Sequence, residues 1–257
     1  MELACSSQSY DRELRDGSLS LPEWCRLCAE DLGVSAVELE DKHVGEPTPQ
    51  RVAEIREAAA RYQLSVVNIA LMNNFGVADD IRRREEAART VAWMEVARAL
   101  RSRYLRTFAG WPEGDRSARW PGMVEALRAV CARAEALGVR LVLENHNHAG
   151  FVQTGRDVEE ILEAVHSPVL GLLLDTGNYL DGMASIVRTA SRAWHVHAKF
   201  TEVGRDGRDA RVDHDAVVGV LREAGYAGCV SIEYEGAEPG RTAVPRIASY
   251  LRALLSR

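Results

Sequence analysis

Short apolar runs alternate along the whole chain with longer stretches in which apolar residues recur every three or four positions. The short runs have the length and aliphatic content of buried strands, and the longer stretches have the period of amphipathic helices. Eight strands are predicted, at LACSS, AVELE, SVVNIAL, YLRTFAG, RLVLENH, GLLLDTG, AWHVHAKF and CVSIEYEG.

Residues with capping preferences mark the ends of several predicted helices. Thr48 followed by Pro49 predicts a helix start, and Gly138 predicts a helix end. Asp213 and Gly225 predict the two ends of a later helix. By contrast, the stretch GWPEGDRSARWPG after the fourth strand is predicted to be a long loop.

The number and spacing of these units indicate an α/β fold. Eight strand–helix units within 257 residues match the count and size of a (β/α)8 TIM barrel. A doubly wound open sheet is the structural alternative, but it often carries a glycine-rich phosphate loop, and no GxGxxG or Walker motif is present. Without any low-complexity linker, residues 1–257 are predicted to form a single domain.

Composition narrows the class of partner and the compartment. A formal charge of −6 disfavours nucleic acid and acidic membrane surfaces as partners. No apolar run approaches the ~18 residues of a membrane span, and no secretory signal is visible, so a cytoplasmic protein is predicted. Cys25 and Cys28 form a CxxC within an amphipathic stretch, and we interpret them as reduced core thiols.

Four consecutive strands carry an acid or an imidazole near their C-terminal ends, all on one alternating face. In a barrel these ends converge on one mouth, where catalytic residues sit. The nominated side chains are Glu144, Asp175, His197 and Glu233, with His146 and Lys199 on the same faces. Three crowded carboxylates repel one another, whereas a divalent cation with an imidazole as fourth ligand stabilises them. Mn²⁺ or Mg²⁺ fits this hard set, with Co²⁺ or Zn²⁺ as alternatives.

The stretches LVLENHNH, LLLDTGN, HVHAKF and SIEYEG, with VELE and LRTFAG before them, resemble the xylose isomerase-like TIM barrels, the sugar phosphate isomerases and epimerases. The resemblance implies one divalent metal held by the four residues already nominated, with His197 as the ligand and His195 as a neighbour behind it. It also implies that the chain forms a homo-oligomer.

Other motifs leave the chemistry open. Ketose 3-epimerases of this family carry a His where this chain has Asn178, and a Glu where it has Gly150. The ExH and HxHxK patterns with RTFAG are similar to 3-dehydroshikimate dehydratases, which implies roles for Arg106, His146 and Lys199. The endonuclease IV branch of this fold is disfavoured by the acidic charge balance.

The leading functional hypothesis is an isomerase or epimerase of a keto-sugar or a related polyhydroxylated carbonyl compound, acting through a metal-stabilised enediolate. Glu144 and Glu233 are the predicted proton-transfer groups, and the predicted substrate-binding residues are Arg106, His146, Asn178 and Lys199. The alternative is a lyase of the dehydratase, inosose-dehydratase or C-glycoside-cleaving kind, with Lys199 or His146 as general acid. A non-catalytic sugar-binding subunit is the third hypothesis.

The expected partner is therefore a small molecule, either a sugar, a cyclitol or a cyclic keto-acid. The loop TEVGRDGRDAR carries Arg205, Arg208 and Arg211, which either are solvated or contact an anionic substrate group. His148 lies in the loop after the fifth strand, and its role is open.

Overall fold

Eight parallel strands close into a ring in chain order in the computed structural model, which describes residues 1–146 and 148–257. β1 pairs with both β2 and β8, so the ring has no open edge. The strands are β1 (Glu2–Ser6), β2 (Ala36–Glu40), β3 (Ser65–Ala70), β4 (Tyr104–Thr107), β5 (Leu141–Glu144), β6 (Leu170–Asp175), β7 (Ala193–Phe200) and β8 (Cys229–Tyr234). The predicted TIM barrel is confirmed.

Helices surround this ring, and short 3-10 or π segments join some of them. The α-helices are α1 (Asp11–Arg15), α2 (Leu21–Arg26), α3 (Asp41–Val44), α4 (Pro49–Arg61), α5 (Asp80–Ala99), α6 (Arg116–Leu137), α7 (Gly155–Val165), α8 (Met183–Thr189), α9 (His214–Glu223) and α10 (Gly240–Leu255). Within the described ranges, none of these helices has the length and apolarity to cross a lipid bilayer.

The caps explain where the helices begin and end. Thr48 accepts a hydrogen bond from the Arg51 amide at the start of α4, and Gly138 ends α6 in the left-handed conformation with φ 68°. Both predictions are confirmed. The predicted loop after β4 is wrong in its second half, because Asp115 caps α6 and the helix continues through Pro121.

Alternation along the strands separates two cores. In β5, Leu141 and Leu143 belong to the large apolar core that includes the helices, whereas Val142 packs with Tyr104 and Leu173 in a separate cluster. Glu144, two residues after Val142, shares its parity and ends the strand. On its inner face β5 therefore runs from an apolar floor to a polar C-terminal end, which places Glu144 at the mouth of the barrel.

The cysteines belong to the cores. All five are buried and unpaired in the described part of the chain, as predicted for Cys25 and Cys28. Burial raises the pKa of the Cys25 thiol to about 12, so this thiol stays protonated at neutral pH. Such a thiol packs as a small apolar group and is unreactive.

A buried histidine makes the stability of the barrel depend on pH. His214, at the start of α9, stacks on Phe200 with ring centroids 4.1 Å apart. Burial lowers the pKa of His214 to about 4, below the value of about 6.5 expected in the unfolded chain. The unfolded state therefore binds the proton more tightly, and this contribution to stability is lost as the pH falls from about 6.5 to 4.

We therefore expect His214→Phe, which keeps the stacked ring, to remove roughly 2–3 kcal/mol of the stability lost between pH 7 and pH 4.5. Urea unfolding at the two pH values measures the change. His166→Asn, at an exposed position that ends α7, is the matched control and should follow the wild type. Parallel pH dependence in wild type and His214→Phe would contradict the assignment.

Candidate active site

Four side chains from the last four strands meet at the C-terminal mouth of the barrel. Glu144, Asp175, His197 and Glu233 each offer one ligand atom, and these atoms all lie within 4.8 Å of one another. Nδ1 of His197 is 3.3 Å from Glu233 Oε1, 3.5 Å from Glu144 Oε1 and 3.9 Å from Asp175 Oδ2. All four residues are buried. The structure therefore brings together the four residues nominated from the sequence as metal ligands.

The electrostatics of this group are unfavourable without a cation. Burial, together with Glu233 and Glu144, raises the pKa of the Asp175 carboxyl well above its usual range, although Lys199 opposes the shift. Burial would also raise the pKa of the Glu233 carboxyl, but His197 and Lys199 outweigh it and hold that pKa well below its usual range. One carboxylate of the group thus tends to take up a proton unless further positive charge is present.

A divalent ion fits the donor atoms that this group presents. His197 Nδ1 is buried, faces the three carboxylates and makes no hydrogen bond to any described residue. Three carboxylate oxygens and one imidazole nitrogen form a set that suits Mn²⁺ or Mg²⁺ and is also compatible with Zn²⁺ or Co²⁺. The free nitrogen lone pair and the excess negative charge are both stabilised by a cation at this position.

Glu38 on β2 orients the imidazole of His197 from behind. Its two oxygens accept hydrogen bonds from Nε2 of His197, at 2.7 Å, and from Nε2 of His195, at 2.6 Å. With its proton held on Nε2, His197 can present an unprotonated Nδ1 to a metal ion, as a metal ligand requires. Without the ion, burial would lower the pKa of His197, but Glu233 and the neighbouring carboxylates raise it well above its usual range. Glu38, His195 and His197 also form a second cluster of metal-ligand type, but the short hydrogen bonds already use the atoms that face one another.

Asp175 is held by the backbone and by Asn145. The Asn145 side chain accepts from the Asp175 amide at 2.8 Å and donates to the Asp175 carbonyl at 2.9 Å, which ties the end of β5 to β6. The Gly177 amide donates to Asp175 Oδ1 at 2.7 Å. The other carboxylate oxygen is thereby directed toward His197 and Lys199.

Arg106, which sequence reasoning assigned to substrate binding, bridges two carboxylates. Its guanidinium nitrogens lie 3.2 and 3.3 Å from the oxygens of Glu40 and 3.0 Å from Glu144 Oε2. Burial raises the pKa of Glu40 to about 7 even though Arg106 opposes the shift. Arg106 therefore compensates the charge of Glu144 on the side of the cavity that faces β2.

Lys199 compensates negative charge on the opposite side of the cavity. Its ammonium lies 2.5 Å from Glu233, 3.2 Å from Asp175 and 3.2 Å from Glu235. Burial alone would lower the pKa of Lys199, but these carboxylates raise it well above its usual range. Lys199 is therefore protonated at neutral pH beside two of the proposed ligands, and it lines the cavity.

His146 stands against aromatic rings on the cavity wall. It makes edge-on contacts with Phe108 and Trp111, at centroid distances of 5.4 and 5.1 Å. Burial lowers the pKa of His146 to about 4, so the ring is neutral at pH 7. Nδ1 of His146 lies 3.1 Å from Nδ1 of His148, and this contact gives His148 a supporting position.

A cavity of about 580 Å³ opens above the four residues. Glu144 and Glu233 line it, and so do all four predicted substrate-binding residues, Arg106, His146, Asn178 and Lys199. The three loop arginines, Arg205, Arg208 and Arg211, are absent from its described lining. Arg208 instead pairs with Asp215 and lies over Tyr250.

Sequence reasoning missed Glu38 and Glu40. Both lie on β2 with the same alternation that carries the polar residues of the later strands, so the signal was present in VELE. The side chain of Glu38 reaches across the barrel to β7. The spacing of residues along the sequence does not predict a contact between strands so far apart in the chain.

Comparison with known proteins agrees with this architecture. The model of the family described as xylose isomerase-like TIM barrel matches residues 27–254. The chain therefore belongs to that family, as its motifs implied.

The individual proteins that this chain resembles share only a minority of their residues with it. Mannonate dehydratase of Chromohalobacter salexigens is 31% identical over 138 residues, which cover 47% of this chain and 35% of that protein. D-psicose 3-epimerase from Clostridium cellulolyticum H10 superposes with a TM-score of 0.80 at 18% identity, over 100% of this chain and 97% of that one. A zinc-bound IolI protein superposes with a TM-score of 0.82 at 18% identity, over 100% and 98% of the two chains. The two structural matches show a shared fold.

The contact between Glu38 and His197 predicts how tightly the site binds a metal. In Glu38→Gln one histidine loses its acceptor and the buried negative charge disappears, so the affinity for Mn²⁺ should fall about 10- to 100-fold. Titration calorimetry of the metal-free protein with Mn²⁺ measures the change. The exposed Glu57→Gln is the matched control. An affinity equal to that of the wild type would show that Glu38 does not orient the ligand.

Proposed function

We propose that this protein is a divalent-metal-dependent enzyme that moves a proton next to the carbonyl group of a small polyhydroxylated compound, and thereby isomerises or epimerises it. One observation carries the proposal: three buried carboxylates and an imidazole converge within 4.8 Å at the base of the cavity, and two of these carboxylates also line it. A binding module has no evident need for such a costly concentration of buried charge.

The proposed metal ligands are Glu144, Asp175, His197 and Glu233. Mn²⁺ or Mg²⁺ is the proposed ion, with Zn²⁺ and Co²⁺ as alternatives that the same donor set accepts. When bound, such an ion supplies Lewis acidity toward a carbonyl oxygen and its neighbouring hydroxyl. In the proposed mechanism, side chains of this protein carry out proton transfer and bind the substrate.

Glu144 and Glu233 are the proposed proton carriers. They project from β5 and β8, which lie three strands apart around the ring, so they reach the cavity from different sides. One carboxylate removes the hydrogen from the carbon beside the carbonyl, and the other, carrying a proton taken up from water before turnover, delivers that proton to the enediolate. The first carboxyl group then releases its proton to water, so the pair returns to its starting charge. Return to the neighbouring carbon gives an isomer, and return to the opposite face of the same carbon gives an epimer.

The other lining residues bind and orient the substrate in this proposal. Lys199 remains protonated beside Glu233 and Asp175, and it stabilises the negative charge that develops on a substrate oxygen. Neutral His146 and the side chain of Asn178 offer hydrogen bonds to hydroxyl groups. Arg106 holds Glu144 in place through their 3.0 Å contact.

A lyase is the second candidate, and the partial relationship to a mannonate dehydratase favours it. Elimination begins with the same proton removal but ends with the departure of a β-hydroxyl group or another leaving group. The ammonium of Lys199 would assist that departure as a general acid, since it faces the cavity and carries the available proton. His146, being neutral, would assist by hydrogen bonding.

We also propose that residues 1–257 act as one domain in a reducing cytoplasm, since all five cysteines are buried and unpaired in the described part of the chain. The acidic balance of the chain supports a small-molecule partner and not a nucleic acid. Self-association into a homo-oligomer belongs to the same proposal, and light scattering would test it.

Removal of the metal or of a proton carrier should abolish turnover. Chelation should stop exchange of the substrate α-hydrogen with D₂O, and added Mn²⁺ should restore it. Glu233→Gln should slow the exchange about 10²- to 10⁴-fold. Proton NMR of a panel of ketoses and cyclic ketones in D₂O measures the rate, with Glu57→Gln as the control. Exchange that survives both treatments would disprove the proposed chemistry.

The products distinguish the two candidate reactions. An isomerase or epimerase should incorporate deuterium into a ketose or its epimer, and the mass of the product should change only by the mass of the label. A lyase should accumulate an unsaturated or deoxy-keto product as water or an aglycone leaves. Mass spectrometry of the same incubations separates these outcomes, and appearance of the eliminated product would replace the first candidate by the second.

A further inference from the structure

Each cationic side chain in the described lining of the cavity already has a carboxylate partner. At the mouth, Lys42 lies 2.6 Å from Asp11, and Arg89 is paired with Asp41. Deeper in the cavity, Arg106 and Lys199 together contact five carboxylates, those of Glu40, Glu144, Asp175, Glu233 and Glu235. No positive charge in this lining is left over for an anionic ligand.

The two deep pairs resist exchange of partners. The side chains of Arg106 and Lys199 are only 4% and 8% exposed. If a substrate anion took the guanidinium from Glu40, a buried carboxylate would lose its compensation, which is strongly destabilising. The more exposed ion pairs at the mouth are weaker and do not oppose such exchange. Selectivity against anions therefore depends on the deep ion pairs of Arg106 and Lys199.

The balance of positive and negative charges in the cavity also disfavours an anionic substrate. Four buried carboxylates and the exposed Glu235 face two cations in this part of the cavity, and a divalent ion raises the positive charge only to four. A phosphate or carboxylate on the substrate would enter a site that has no excess positive charge. The loop arginines do not change this balance, because none of them lines the cavity.

The remainder of the lining suits an uncharged compound. Asn178 provides hydrogen-bonding groups without charge, and Phe108 and Trp93 provide apolar surface. Met72, which is 49% exposed, and Pro47 extend this apolar surface at the mouth. Apolar walls with a few polar groups are usual for sites that bind neutral small molecules.

We infer that the substrate is uncharged, either a free keto-sugar, a keto-glycoside or a cyclitol ketone, and that sugar phosphates and sugar acids are excluded by the paired cations. This inference rests on the proposed function, and it narrows the partner class, which the sequence had left open to include a cyclic keto-acid. It also separates this chain from mannonate dehydratase, which is named for a sugar acid, so the lyase candidate would likewise act on an uncharged compound.

Calorimetry of the Mn²⁺-loaded protein tests the inference. Mn²⁺ binding is measured first, because a protein that binds no Mn²⁺ would disprove the proposed function itself. Six probes then follow: D-fructose, D-fructuronate, D-fructose 6-phosphate, D-tagatose, D-tagaturonate and D-tagatose 6-phosphate. We expect a neutral ketose to bind at least about tenfold more tightly than its own acid and phosphate. An anion as the tightest ligand would overturn the inference while leaving the metal site intact.

A variant tests whether the pairing causes the selectivity. Glu40→Gln keeps the shape of the side chain but removes the charge that neutralises Arg106, so affinity for D-fructuronate should rise about fivefold or more relative to wild type. The ratio of the D-fructuronate affinity to the D-fructose affinity, measured within each variant, should rise by a similar factor. Glu135→Gln, an exposed site on α6, changes the net charge equally and is the control. A gain no larger in Glu40→Gln than in Glu135→Gln would show that the deep pairs do not set charge selectivity.

Discussion

Crowding of like charge at the barrel mouth is the constraint on which the site depends. Closing eight strands directs the inner side chains at their C-terminal ends toward one point, and three of those side chains are carboxylates. Buried carboxylates at such distances are stable only with compensating positive charge. Arg106 and Lys199 supply part of it, and the proposed metal ion supplies the rest. The composition of the surrounding lining follows from this need.

The barrel meets this need with two supporting groups that do not belong to the proposed ligand set. Glu38 fixes the imidazole of His197 from below through a 2.7 Å hydrogen bond. Asn145 ties the backbone of Asp175 to the neighbouring strand. Partners that hold a ligand in one orientation reduce the cost of ordering it when the ion binds.

The sequence predicted the barrel and the convergence of its strand ends because alternation and strand order determine which residues face inward. Glu144, Asp175, His197 and Glu233 could be nominated for that reason. The partners of Arg106 and the role of Glu38 could not, because both contacts join strands far apart in sequence through long side chains. The start of α6 was misjudged because the stretch GWPEGDRSARWPG was predicted to be one loop, whereas the Asp115 cap begins the helix within it.

The most direct test of the central claim is a crystal structure of the Mn²⁺-loaded protein with anomalous scattering data. The account predicts one ion per chain, bound at about 2.0–2.3 Å by oxygens of Glu144, Asp175 and Glu233 and by Nδ1 of His197. An ion held elsewhere, or an anomalous map with no peak between these four side chains, would contradict it.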